Sequence, residues 1–366
     1  MNIEKNFNLK FDFFNESTPS LIGVDISTSA VKMVELSSTG KGAYRLEAYS
    51  IAMIPKDAVV DGNISALDQV SDAVKLAWKL LGSREKRSAL ALPSAAVITK
   101  KVMMSAALSE EDMEVIVEAE ANQYIPFPLE EVNIDFQVIG PAASSPGEVE
   151  VLIAAARKEK IEDRVATAED AGLKVTVMDV DTYATEAAYS LVANQLPNKG
   201  KDQTVMIVDI GAVMMHINVL HDNKSIYVRE QAFGGTQLTQ EIQRRFGLSA
   251  VEADIAKRKG GLPESYETEV MQPFMLSLST EVARALQFFT SSTQYNRIDH
   301  IVLAGGCAAI PAIDVLVQDR TQVNTIIANP FQSMSLATKV KQQQASLDAP
   351  ALLIACGLAM RGARLI

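Results

Sequence analysis

LIGVDISTSAVKMVEL (residues 21–36) and VMIVDIGAVMMHINVL (residues 205–220) follow one plan. Each is an apolar strand ending in an aspartate, Asp25 or Asp209, followed by a tight turn of small residues and a second strand. Such a hairpin sets one carboxylate at the carboxyl end of a buried strand, beside the N–H groups of the turn. A magnesium–phosphate group requires this pairing: amides to cradle oxygens, and an acid to hold the metal through its waters. A single Asp-x-Gly also marks ordinary turns. Two in matching context predict a cleft that grips phosphate from both sides.

The rest of the composition narrows the class. A chain of 366 residues has room for a large core and two domains, and 48% hydrophobic with 22% charged residues is ordinary for a globular protein. A net charge of −11 argues against nonspecific nucleic-acid binding, and REKR (84–87) and KRK (257–259) are too short to offset it. Cys307 and Cys356 sit in apolar stretches far apart and read as buried thiols of a reducing cytoplasm. His216, His221 and His300 lack acids or cysteines at ligand spacing, so no zinc site is expected. No apolar run approaches the roughly 20 residues of a membrane helix; the run at 351–360 reads as a core helix. Phe7, Phe11, Phe13 and Phe14 alternate with charges in an amino-terminal arm that has no small-residue cleavage site.

Periodicity predicts a helix over 66–81 closed by Gly82, and a strand over 88–93. Ser109 is expected to cap a helix over 110–123, with Glu110, Glu111 and Asp112 favoured in its first turn. Ile125-Pro126-Phe127-Pro128 stops that helix in an extended segment. Further helices are expected over 158–171, 182–195 and 268–290. The domain plan is an arm (1–17), a first domain (18–93 and 178–200) interrupted by a small α+β insertion (94–177), a second domain (201–350) with a helical part near 233–295, and a closing helix (351–366).

The order of these parts resembles the actin, heat-shock-chaperone and sugar-kinase ATPase superfamily. More narrowly it resembles the PilM family of type IV pilus assembly, relatives of the division protein FtsA. The stretches that carry the likeness are IGVDISTSAVKMVEL, EAEANQYIPFPLEEVNIDFQVIG, FGGTQLTQEIQRRFGLSAVEADIAKRKGGLP, IDHIVLAGGCAAIP and DAPALLIACGLAMRG. The resemblance implies an α/β, actin-like (ribonuclease H-like) two-domain ATPase fold that binds ATP and Mg2+. In it Asp25 and Asp209 would hold magnesium through water, and Ser27, Thr28 and Ser29 would meet the phosphates. Gly211 would belong to the opposing phosphate loop, and Gly234 and Gly235 would lie near phosphate or ribose. Asp254 and Lys257 would flank ribose and adenine, and Gly305 and Gly306 would pack against the adenosine. Asp181 would orient an attacking water. A cap, a turn or a surface ion pair is the structural alternative for each polar residue.

One departure bears on turnover. After the second Asp-x-Gly-Ala come Val213, Met214 and Met215, where members of the resembled family often carry small or hydroxyl-bearing residues. Methionine cannot donate to a phosphate, so this loop would rely on backbone amides, and weak hydrolysis at most is expected. No cluster of polar groups suits a kinase acceptor. The expected function is an ATP-binding scaffold at the cytoplasmic face of the inner membrane. The resemblance implies that it grips the cytoplasmic tail of PilN and links the PilN, PilO and PilP subcomplex to the pilus motor ATPases; a homo-oligomer is also possible within the family. The alternatives are an FtsA-like filament former or an ATPase or kinase with a small-molecule substrate. Ile125, Pro126, Phe127 and Pro128 are the expected wall of the peptide groove, unless Phe127 fills the core of the insertion.

Overall fold

The computed structural model describes residues 20–40, 42–142 and 145–364; the arm at 1–17 lies outside them. The chain opens with β1 (Ile22–Ile26), β2 (Ala30–Gly40) and β3 (Ala43–Met53), the small hairpin β4 (Val59–Val60) and β5 (Asn63–Ile64), helix α1 (Leu67–Leu81) and strand β6 (Arg87–Leu92). Next come β7 (Val97–Ser105), α2 (Glu110–Tyr124), β8 (Val132–Pro141), β9 (Glu148–Arg157) and α3 (Lys158–Asp170). The chain then returns through β10 (Lys174–Val180) and α4 (Asp181–Val192).

The second half repeats the opening with β11 (Thr204–Ile210), β12 (Met215–His221) and β13 (Lys224–Gln231). Helices α5 (Gly235–Phe246), α6 (Ala250–Lys259) and α7 (Gln272–Ser292) follow, then β14 (His300–Ala304), α8 (Ile313–Thr321), β15 (Asn324–Ile327), β16 (Ser335–Leu336), α9 (Gln342–Asp348) and α10 (Leu353–Ala359).

The two large sheets have the same construction. The first runs β10-β6-β1-β2-β3-β16 and the second β13-β12-β11-β14-β15. In each, three antiparallel strands form a meander, and the first of them pairs in parallel with a later strand, β6 or β14, which pairs in parallel with β10 or β15. β1 is buried at all five positions because helices cover both faces of its sheet, so its sequence is a continuous apolar run apart from Asp25. The insertion has its own three-stranded sheet, β7-β9-β8, with α2 on one face.

Local sequence accounts for several helix ends. Ser109 and Asp112 form a reciprocal capping box at α2, Ser249 and Glu252 another at α6, and Gly82 and Gly247 close α1 and α5 in the left-handed conformation. The expected helix at 182–195 begins one residue earlier and finishes as a 3-10 turn over Ala193–Gln195. The expected 351–366 helix is shorter: 3-10 turns at Ala349–Leu352 and Met360–Arg364 bracket α10.

Helices α4 and α10 lie between the sheets in one core with Val34, Leu46, Ile207 and Val302. Their crossing is very close. A Cβ on Gly357 would stand 1.8 Å from the Ala184 carbonyl oxygen, and one on Gly23 of β1 would stand 2.0 Å from the Ala355 carbonyl oxygen. Among the described residues one stretch, Gln342–Gly362, is long and apolar enough to cross a membrane, and 67% of its most apolar window is buried in the fold.

Candidate nucleotide-binding cleft

The two hairpins match hydrogen bond for hydrogen bond. Two residues after Asp25, the Ser27 N–H donates to the Ala30 carbonyl at 3.0 Å; two after Asp209, the Gly211 N–H donates to the Met214 carbonyl at 2.9 Å. The tips are therefore Thr28-Ser29 and Ala212-Val213. Among the described residues, Thr28 and Val213 have no hydrogen-bond partner within the protein. The Ser27 hydroxyl is turned inward to the Ala30 carbonyl at 2.9 Å, so it is not free to donate to a ligand.

This equivalence corrects the reading of the second turn. The counterpart of Ser27-Thr28-Ser29 is Gly211-Ala212-Val213, and Met214 and Met215 lie beyond the tip. Met215 begins β12 and is fully buried in the core of the second sheet, where strand alternation directs it. The tip still lacks hydroxyl groups, but the methionines do not line it.

Strand register supplies two residues that sequence reading passed over. Asp25 pairs with Lys32, and Asp209 with His216. Each basic residue stands at the same offset from its aspartate, a signal visible only once the turn length is known. The Lys32 Nζ donates to Asp25 Oδ2 at 3.0 Å. Burial disfavours the ammonium, but Asp25 and Asp209 outweigh that cost and raise its pKa. Asp209 is itself raised, first by burial and then by Asp25, against the pull of Lys32 and His216. Two carboxylates and two cations thus converge from the two sheets.

Behind them lies a chamber of about 20 Å3, lined by Asp181, Thr185, Asp209, His216 and Asn218. That is room for about one water. Asp181 begins α4, and its Oδ1 accepts from the Ser94 N–H at 3.0 Å; burial pushes its carboxyl up to about 6. His216 Nδ1 stands 3.5 Å from Glu230 Oε1, an ion-pair distance rather than a good hydrogen bond. Burial opposes the charged imidazole, yet Glu230, Asp209 and Asp181 together raise it to about 9. Arg164 of α3, also missed from sequence, donates to the Ile26 carbonyl at 3.3 Å and the Gly62 carbonyl at 2.9 Å. It fixes the end of β1 that carries Asp25.

The remaining glycines divide by what they approach. A Cβ on Gly234 would meet the Ala212 carbonyl oxygen at 2.5 Å, and one on Gly305 would meet Asp209 Oδ1 at 2.5 Å and the Ile210 carbonyl oxygen at 2.4 Å. Both glycines serve close packing within the protein, and Gly305 also has φ +84°. A Cβ on Gly306 would meet nothing within 4 Å, so its face is the open one.

The start of α5 is stapled to the second turn. The Gly235 N–H donates to the Gly211 carbonyl at 3.0 Å, and the Thr236 N–H to the Ala212 carbonyl at 2.7 Å. Those amides are therefore committed to protein carbonyls. Lys257 of α6 reaches the same place, donating to Thr239 Oγ1 at 2.7 Å and the Gly235 carbonyl at 3.3 Å. Asp254 is engaged with Arg258 and with Lys257, so a ribose hydroxyl would have to compete for it. Cys307 packs against Gly211, with burial pushing its thiol up to about 11.

Asp25, Asp209 and Asp181 are thus gathered about Lys32 and His216, with Thr28 at the tip of the Asp25 turn, the Gly211, Gly235 and Gly305 backbones packed around the second turn, and Lys257 and Asp254 at the α5–α6 side. The 125–128 segment stands apart on the insertion. Ile125 is buried in the insertion core and does not face outward, whereas Phe127 is 37% exposed, with the Arg157 guanidinium 5.2 Å from its ring centre. Phe127 does not fill the core.

Comparison with known proteins agrees with this architecture. The family model for type IV pilus assembly protein PilM matches residues 23–363. Cell division protein FtsA of Bacillus subtilis (strain 168) is 22% identical over 355 residues, covering 84% of this chain and 78% of FtsA. A solved PilM–PilN type IV pilus biogenesis complex superposes with TM-score 0.76 at 27% identity, over 94% of this chain and 99% of that one. The ethanolamine utilization protein EutJ of Carboxydothermus hydrogenoformans shares the fold at TM-score 0.53 and 16% identity, over 93% of this chain and 89% of its own. With its duplicated sheets and actin-like fold, the chain belongs to the family of type IV pilus assembly protein PilM.

Proposed function

We propose that this protein is an ATP-binding scaffold of the type IV pilus machine that holds the cytoplasmic tail of PilN. The observation that carries the nucleotide half is the pair of matching turns, each with an aspartate at its base and an unpartnered residue at its tip. The residues fit the group. Thr28, Ser29 and the Ala212–Val213 backbone would meet phosphate oxygens, Lys32 would balance their charge, and the open face of Gly306 would receive the nucleoside. Magnesium keeps several waters and takes one or two carboxylates beside phosphate oxygens. Asp25 and Asp209 suit that role, although among the described residues no three potential ligand side chains form a cage. Bound magnesium would supply charge neutralisation to the phosphates. Asp181 would orient water, with hydrolysis weak because the second tip offers no hydroxyl group.

The partner half rests on family membership and on the solved PilM–PilN complex. A crevice lined by Gly62, Leu92, Pro93, Ala96, Lys160 and Arg164 marks the junction of the first sheet, the root of the insertion and α3. The crevice itself holds only about 10 Å3, so the tail would lie along the face between the first domain and the insertion, gaining main-chain hydrogen bonds and taking specificity from side-chain pockets, with the exposed Phe127 in its wall. Held by PilN, the protein would sit at the cytoplasmic face of the inner membrane and connect the PilN, PilO and PilP subcomplex to the motor ATPases. The test is an ATP-turnover and nucleotide-retention assay with and without a PilN tail peptide. Retained ATP with slow turnover is expected; fast turnover, or no retention, overturns the scaffold reading.

A further inference from the structure

We infer that Ser94, Glu230 and His216 form a relay between the phosphate cleft and the inserted subdomain, with Glu230 as its positioning residue. The inference rests on the nucleotide reading above and specifies how that site is regulated. Ser94 is the first residue of the 3-10 turn Ser94–Ala96 that leads from β6 into β7, so it is the root of the insertion. Its two polar groups go to different halves of the molecule. The N–H donates to Asp181 at the start of α4, and the hydroxyl donates to Glu230 Oε1 on β13 of the second sheet at 2.8 Å.

The same Glu230 oxygen is the one facing His216 at 3.5 Å, and His216 is the strand partner of Asp209. Asp209, His216, Glu230 and Ser94 therefore form a continuous series from the second phosphate turn to the first residue of the insertion. The charged groups around the imidazole are Asp181, Asp209 and Glu230, and Lys32 also acts on Asp209. The shared Glu230 oxygen sets the direction of the response. A polyphosphate at the turns sits beside Asp209 and draws the imidazole of its strand partner His216 toward the phosphate oxygens, away from Glu230. Glu230 then leans more on the Ser94 hydroxyl, because a half-buried carboxylate must keep its partners. The root of the insertion is held more firmly to the second half.

Coupling of this kind is reciprocal, so whatever grips the insertion also senses the cleft. Hydrogen–deuterium exchange on the full chain, with and without magnesium and a non-hydrolysable ATP analogue, tests the relay after direct measurement of analogue affinity. In the wild type the analogue is expected to slow exchange over Ser94 and β7 by roughly 5-fold or more, the low end of ordinary coupling. Ser94→Ala and Glu230→Gln should bind the analogue yet lose that response, and Ser94→Thr, which keeps the hydroxyl, should retain it. Melting curves confirm that the variants are folded. Binding without slowed exchange in the wild type overturns the relay and leaves the nucleotide reading standing, as does a response that persists in Ser94→Ala. Absence of analogue binding overturns both.

Discussion

Lys32 and Asp25 stand directly opposite each other on β2 and β1, joined by a 3.0 Å charged hydrogen bond inside the cleft. Their counterparts Asp209 and His216 occupy the same relationship in the second sheet. Each aspartate-ended strand is thus built with its own basic partner, one a lysine and one a titratable histidine.

Replacing Lys32 by Ala would leave Asp25 and Asp209 facing each other without their shared cation. Removing one member of a buried pair costs about 3–5 kcal/mol. The lower part of that range is expected by urea denaturation, because the Lys32 and Asp25 side chains keep some contact with solvent. Magnesium–ATP affinity, followed by calorimetric titration, should fall as well; unchanged affinity would remove Lys32 from the phosphate site.

Asp25→Asn and Asp209→Asn should each weaken magnesium–nucleotide binding by at least 10-fold, since each removes a charge the metal uses and about 1.4 kcal/mol already amounts to that factor. The fold should survive, because asparagine keeps the shape. Tight ATP binding by both variants would show that the metal roles are misassigned.

Gly357→Ala should be severely destabilising. Its Cβ would lie 1.8 Å from the Ala184 carbonyl oxygen, a backbone atom that cannot rotate aside. Overpacking commonly costs about 1–3 kcal/mol, and the upper end or beyond is expected here. A thermal melt within a degree of wild type would show that α10 and α4 do not cross as described.

Stability of the protein without nucleotide should decline with rising pH in two windows. The Asp181 carboxyl is raised from 3.8 to about 6, so the stability associated with its neutral form is present below pH 3.8 and lost as pH passes 6. His216 is raised from 6.5 to about 9, so its contribution is complete below pH 6.5 and lost as pH rises through 9. Urea midpoints across this range should show Asp181→Asn flattening the first window and His216→Gln the second.

Phe127→Ala should leave stability within about 0.5 kcal/mol, as for an ordinary surface change. PilN-peptide affinity should nevertheless fall. Equal affinity in a folded variant would move the peptide groove away from this segment.

Much of the fold was legible because it is local. The aspartate-ended strands, the Ser109 cap, the Gly82 stop and the Pro126 break each follow from a few neighbouring residues, and the structure places them within a residue or two. The candidate site was legible in part. Asp25 and Asp209 could be named from their place at strand ends and Asp181 from the family resemblance, but Lys32 and His216 could not, since an isolated lysine or histidine in a strand has many uses. Why positions 234 and 305 need glycine was not legible either, since the chain itself fills the space a Cβ on Gly234 or Gly305 would take.

The sequence by itself determined that this protein carries two copies of one hairpin, because hydrophobic period, turn chemistry and a terminal aspartate are properties of contiguous residues. Only the tertiary structure decided that the copies face each other, that Met215 turns into a core and that Ser94 meets Glu230 across the cleft. Those outcomes depend on strand register and on two helices crossing at glycine contact. Such relationships between distant segments are set by packing, and no short window of sequence contains them.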